Sequence, residues 1–116
     1  MLSNGSIFHW PAARVTIINL NGAAQHSCKC SGWLQHWRNF SVLPMPFHCP
    51  GLLCREKAEV GVLVQRADAD DTNWYIVPLC KVHSQLKGTL EISSFTPLIS
   101  ANVSETCGKS LVLALT

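Results

Sequence analysis

Four residues in two close pairs have the types and spacing of metal ligands: Cys49 and Cys54 in Cys49-Pro-Gly-Leu-Leu-Cys54, and Cys80 and His83 in Cys80-Lys-Val-His83. Thiolate and imidazole are the groups that zinc takes in a closed tetrahedron, and proteins commonly supply them as two pairs brought together by the fold. In the first pair, proline and glycine let the backbone curl so that both sulfurs face one point. In the second, a helix puts residues three apart on one face. About 25 residues lie between the pairs, room for a hairpin. The expected cofactor is one Zn2+, although a thiolate-rich site also suits iron.

Cys28-Lys-Cys30, with His26 before it and His36 after, competes for ligation. One intervening residue is tight for a metal knuckle, but Gly32 eases the turn. These groups could replace Cys49 and Cys54, or form a second site with Cys107. Plainer readings stand beside the metal. Reduced cysteines pack as small apolar residues, and a nucleophilic cysteine with His83 as base is conceivable, though no orienting group or oxyanion feature accompanies it. Asp68-Ala-Asp70-Asp71-Thr-Asn73 has the alternation of a calcium loop. It lacks the glycine at the sixth position and has Leu79 where the closing Glu belongs, so it reads as a solvated turn.

The ligand pairs need elements to hold them. Val15-Thr-Ile-Ile-Asn-Leu20 is rich in β-branched residues and predicts a strand, ended by a turn at Asn21-Gly22. Trp33, Trp37 and Phe40 fall at i, i+4 and i+7, the spacing of a short helix with one aromatic, core-facing side. Prolines at 44, 46 and 50 stop that helix and leave Cys49 on a loop. Val60, Val62 and Val64 share one side of a strand, and Asn73 to Leu79 forms its hairpin partner across the polar stretch Arg66 to Thr72. Leu79, Val82 and Leu86 then predict the apolar face of a helix with Cys80 and His83 in its first turn and Gly88 at its end. Leu90 and Ile92 start a last short strand, and residues 108–116 read as a loose tail.

A chain of 116 residues with 47% apolar and 14% charged residues has the make-up of a single globular domain rather than a disordered one. Nine Lys and Arg against seven Asp and Glu give a net charge of +2 with no basic run, so composition provides little pull on nucleic acid. The start has no basic segment followed by an apolar one, so a secretory signal is not expected, nor is a membrane span of roughly 20 apolar residues. A cytoplasmic setting keeps thiols reduced, which favours metal over disulfides for clustered cysteines. Of the four tryptophans, Trp10 is the one expected at the surface, where an apolar edge could support a homodimer.

Through Cys-x4-Cys, a hairpin, and Trp74-Tyr-Ile-Val-Pro-Leu-Cys-Lys-Val-His-Ser-Gln-Leu-Lys87, residues 49–88 resemble the treble-clef zinc fingers of the HNH endonuclease superfamily. The whole chain is also similar to small bacterial proteins, some carried on mobile gene cassettes, that share the Cys-x-Cys, Trp-x3-Trp and Leu-Cys-x2-His features. That second likeness implies no activity. The first implies a fold and a test of function. Active HNH nucleases carry a water-activating histidine late in the first hairpin strand and a cation-binding histidine after the helix ligand pair. Here the first strand, Val60-Gly-Val-Leu-Val64, has no histidine, and Ser84 follows His83. Asn73 lies farther from the helix pair than the family's central asparagine.

The expectation is therefore a small α+β domain spanning 1–116, with a treble-clef-like, zinc-stapled hairpin and short helix at about 49–93. Its expected role is a non-catalytic binding or adaptor module. The alternative is a nucleic-acid-binding protein or a metal-dependent nuclease working through His9, His26, His36 or His48.

Overall fold

The apolar run Val60-Gly-Val-Leu-Val64 becomes the middle of the sheet. In the computed structural model, which describes residues 14–20, 32–102 and 106, the strands are β1 (Arg14–Asn19), β2 (Val60–Arg66), β3 (Trp74–Leu79), β4 (Thr89–Ser93) and β5 (Ile99–Ser100). Two helices accompany them, α1 (Trp33–Phe40) and α2 (Lys81–Ser84). The sheet order is β4-β1-β2-β3-β5 and every pairing is antiparallel. This is the α+β class expected, with the hairpin β2–β3 registered from Val60 opposite Leu79 to Gln65 opposite Trp74.

Because side chains alternate across a strand, β2 divides its apolar residues between two cores. Val62 and Val64 join Ile17, Val77, Leu79 and Ile92 on the face that also buries Cys49 and Cys80. Leu63 joins Ile76, Ala101 and Trp37 on the other, where Trp33, Trp74 and Met45 pack against them. A sheet buried on both sides accounts for the near-continuous apolar character of the β2 sequence.

Helix α1 closes the second face. The Trp37 indole Nε1 donates to the Pro97 carbonyl at 2.9 Å, giving the buried ring its one polar partner. Gly61 lets the helix start lie directly on β2. A Cβ there would meet the Leu34 nitrogen, and would come within 2.6 Å of the Trp33 carbonyl carbon and 2.8 Å of the Leu34 Cα. The buried stripe includes His36 alongside Trp37, while Trp33 and Phe40 are half-buried. The aromatic spacing thus located the helix but omitted the histidine between its rings.

Two expectations are corrected. The helix predicted from Leu79, Val82 and Leu86 has no apolar face. It is a single turn, Leu79 belongs to β3, Val82 is 73% exposed and Leu86 lies at the surface. β4 is not the last strand, since Ile99 and Ser100 pair with Ile76 and Tyr75. No described helix is long and apolar enough to cross a membrane. Cys28, Cys30, Cys107, His9, His26, Trp10, the Asn21-Gly22 turn and the tail at 108–116 lie outside the described residues.

Candidate metal centre

The loop that carries Cys49 and Cys54 is held in place by backbone bonds. Cys54 N–H donates to the Gly51 carbonyl at 3.0 Å, closing the turn, and Cys49 N–H donates to Glu56 at 2.7 Å, joining its two arms. Leu52 N–H then donates to Glu91 and Ser93 N–H to Pro50, at 3.1 and 3.0 Å, and Gly51 bridges to Ile92. The knuckle therefore pairs with the outer edge of β4, and an edge strand is no longer open there. Within the turn Leu53 takes a φ of 62°, a left-handed conformation that costs a non-glycine residue on the order of 1 kcal/mol.

The second pair is delivered by the end of β3. The chain leaves the sheet at Leu79, and Cys80 becomes the N-cap of α2, its sulfur accepting from the His83 N–H at 3.4 Å. One turn later His83 turns its Nδ1 back toward the sulfurs. A four-residue helix is too short to persist on its own, so its position is set by this cap and by what its side chains meet.

The four ligand atoms lie within 4.8 Å of one another. His83 Nδ1 is 3.4 Å from the Cys49 sulfur and 3.5 Å from that of Cys80, and the sulfurs of Cys54 and Cys80 are 4.0 Å apart. Around a tetrahedral zinc, with Zn–S about 2.3 Å and Zn–N about 2.0 Å, neighbouring ligand atoms stand about 3.5–3.8 Å apart. These three spacings bracket those values. Cys49, Cys54, Cys80 and His83 thus form a cluster able to hold a metal ion.

The electrostatics fit the same reading. Burial pushes the Cys49 thiol up to about 11, against backbone donors at Gly51 and Cys80, and charge on Cys80 or Cys54 raises it further. Thiolates packed this closely repel one another, and a cation between them removes that repulsion. A metal supplies that charge and displaces the protons. Cys49 and Cys80 are buried in the apolar core, whereas Cys54 and His83 are half-buried at its margin. Among the described residues the cluster offers four donors, the number a tetrahedral zinc takes.

Among the described residues, the other sequence candidates go elsewhere. His36 is buried against α1's own rings and its Nε2 lies 2.9 Å from the Ser100 carbonyl. His48 is exposed and stacks edge-on to Phe47. Two carboxylates of the acidic loop are held by hydrogen bonds. Asp68 takes Arg66 and the Thr16 N–H, and Asp71 takes the Asn73 N–H and the Tyr75 hydroxyl. Gly51 is the functional position that spacing alone understated, since a Cβ there would stand 3.1 Å from His83 Cε1 and Nδ1. Only the folded positions of the two pairs reveal that contact. Comparison with protein-family models, curated proteins and solved structures finds no match to this chain.

Proposed function

We propose that the chain is a small zinc-binding module in which one zinc ion, held by Cys49, Cys54, Cys80 and His83, fixes a treble-clef-like scaffold for binding rather than for catalysis. The observation that carries this reading is the closed Cys3His set, gathered from a knuckle and a helix start at near-tetrahedral spacing. Structural zinc sites are closed, and catalytic ones keep a coordination position open. The resemblance to HNH fingers belongs to the same proposal at the level of scaffold. β2 supplies no histidine beside the cluster, and the Ser84 hydroxyl donates to the Lys81 carbonyl at 2.7 Å. An adaptor role is supported by what remains, a rigid sheet with a stapled edge.

Elemental analysis of the purified protein tests the proposal. One zinc per chain is expected, with the metal lost or loosely held after Cys49→Ser, Cys54→Ser, Cys80→Ser or His83→Ala, and retained after Cys28→Ser and Cys30→Ser. A wild-type chain purified without chelator that carries no zinc defeats the reading.

A further inference from the structure

Outside the metal cluster, the described cations are not evenly spread. Ion pairs among the described residues join Arg14 to Glu91 and Arg66 to Asp68. Arg38, Arg55 and Lys57 enter none, yet all three line one cleft of about 580 Å³, together with His48, Phe47 and Met45. Among the described residues, no carboxylate lines it. Arg38 comes from the last turn of α1, where a cation also suits the helix C-terminus. That role does not account for the other two.

The knuckle explains how these groups meet. His48 and Lys57 are bridge partners across its two arms, and directly opposed residues of an antiparallel pair place their side chains on one face. Arg55 lies two residues before Lys57, across a bend at Glu56, and lines the same cleft. Crowding unpaired cations without a counter-charge is unfavourable, and an anion seated between them reverses the sign. Beside the cations, Phe47 is 84% exposed, its ring in edge contact with His48 at 5.0 Å. Guanidinium groups suit phosphate oxygens, and an exposed aromatic face suits a planar ring. The volume falls in the range of small-ligand sites.

We propose that this cleft binds the phosphate of a nucleotide, with Arg38, Arg55 and Lys57 clamping the phosphate and Phe47 stacking on the base. Such a ligand gives chemical content to the binding role proposed above and rests on it, but the cleft's cations are separate from the metal ligands. The nucleotide could be free or part of an unpaired strand, and the phosphate-plus-ring chemistry is the same.

Calorimetric titration of the metallated protein with adenosine 5′-monophosphate, inorganic phosphate, adenosine and a short oligodeoxyadenylate tests this. The monophosphate is expected to bind about tenfold or more tightly than either fragment, since charge-assisted and stacking contacts each contribute at that level. The Arg55→Ala/Lys57→Ala double variant should lose about tenfold or more in affinity for phosphate and nucleotide alike. Phe47→Ala should weaken the nucleotide about fivefold and leave inorganic phosphate unchanged. An oligodeoxyadenylate that binds far more tightly than the monophosphate assigns the source to a strand, and equal affinity assigns it to free nucleotide. No heat from any phosphate-bearing probe up to about 1 mM, or a double variant that binds as wild type, overturns the proposal. Metal content of the same samples separates the two readings. A metallated chain that binds no probe defeats the cleft alone, and a metal-free chain that still binds through Arg55 and Lys57 defeats the zinc centre alone.

Discussion

A hydrogen atom is the whole side chain of Gly51, and the candidate centre depends on it. A Cβ at this position would press on the His83 ring and lie 3.6 Å from the Cys49 sulfur. Gly51→Ala should therefore keep the sheet but push His83 off its line, lowering zinc affinity by about tenfold, the scale of losses from disturbing groups that orient ligands. Competition with a chromophoric chelator reads the change, and unchanged affinity would show that the ring has room to move. At this scale the sequence was informative about the ligands because their spacing is a local property. The turn between Cys49 and Cys54 is present in the structure, whereas Cys80 and His83 come together through the extended cap of α2 and not from one face of a helix. The sequence favoured Cys49 and Cys54 over Cys28 and Cys30 as partners of the second pair, and the fold brings the favoured two to Cys80 and His83.

Among the elements, the β2–β3 hairpin carries a testable bond at its open end. The Tyr75 hydroxyl donates to Asp71 at 2.6 Å, and this bond, with some burial and the carboxylate's charge, raises the tyrosine above its ordinary 10.0. The same bond, with the Asn73 N–H, holds Asp71 below its ordinary 3.8. A raised tyrosine stabilises the fold fully below pH 10.0 and loses that contribution as pH rises through the folded value. The lowered carboxylate contributes above pH 3.8 and loses it as pH falls through its folded value. Tyr75 is the chain's single tyrosine, so the alkaline absorbance titration of tyrosinate reports it alone. The midpoint should lie above 10.0 and fall toward it in Asp71→Asn, whereas coincident curves would remove the bond.

Helix α1 offers a second element-scale test, because Gly61→Ala must move backbone at the helix start. A loss of about 1–3 kcal/mol in denaturant unfolding is expected, the usual cost of overpacking, with zinc content unchanged. A neutral substitution would mean that α1 does not rest on Gly61. β1 to β4 and α1 were legible from β-branched runs and aromatic spacing, which report burial, whereas the two-residue β5 was not. α2 was not, because Leu79, Val82 and Leu86 imitate an apolar stripe on a segment held by its cap and cluster instead of by packing. The docking of the knuckle on β4 left no sequence signal either, since main-chain groups of Pro50, Leu52, Glu91 and Ser93 make it.

For the whole molecule, the two cores share one strand. Val62 and Val64 face the cluster, and Leu63 between them faces the tryptophans. Loss of metal should therefore weaken both sides together. Chelation is expected to lower Tm by roughly 10 °C or more, from a linkage of a few kcal/mol for a tightly held ion. During thermal unfolding of the metallated protein, zinc release and tryptophan emission should follow one transition. If the tryptophan side melts at the same temperature with and without metal, the cores are independent. The basic cleft is likewise a property of the whole fold. A net charge of +2 and scattered cations implied a weak field, yet folding brings Arg38 beside Arg55 and Lys57.

The placement of β1 has a consequence for the order in which the molecule can assemble. β1 lies between β2 and β4, with Val15 opposite Ile92 and Ile18 opposite Gln65. On a ribosome β1 emerges well before either neighbour, and it waits with both edges unpaired through the synthesis of α1, the knuckle and the hairpin. Contacts of such long sequence separation make folding slow relative to local hairpin formation. The hairpin β2–β3 can close at once, but β4 must appear before β1 is flanked on both sides. The same strand then provides the edge on which the knuckle docks, so the flanking of β1 and the completion of the cluster's surroundings become one late event in the life of the chain.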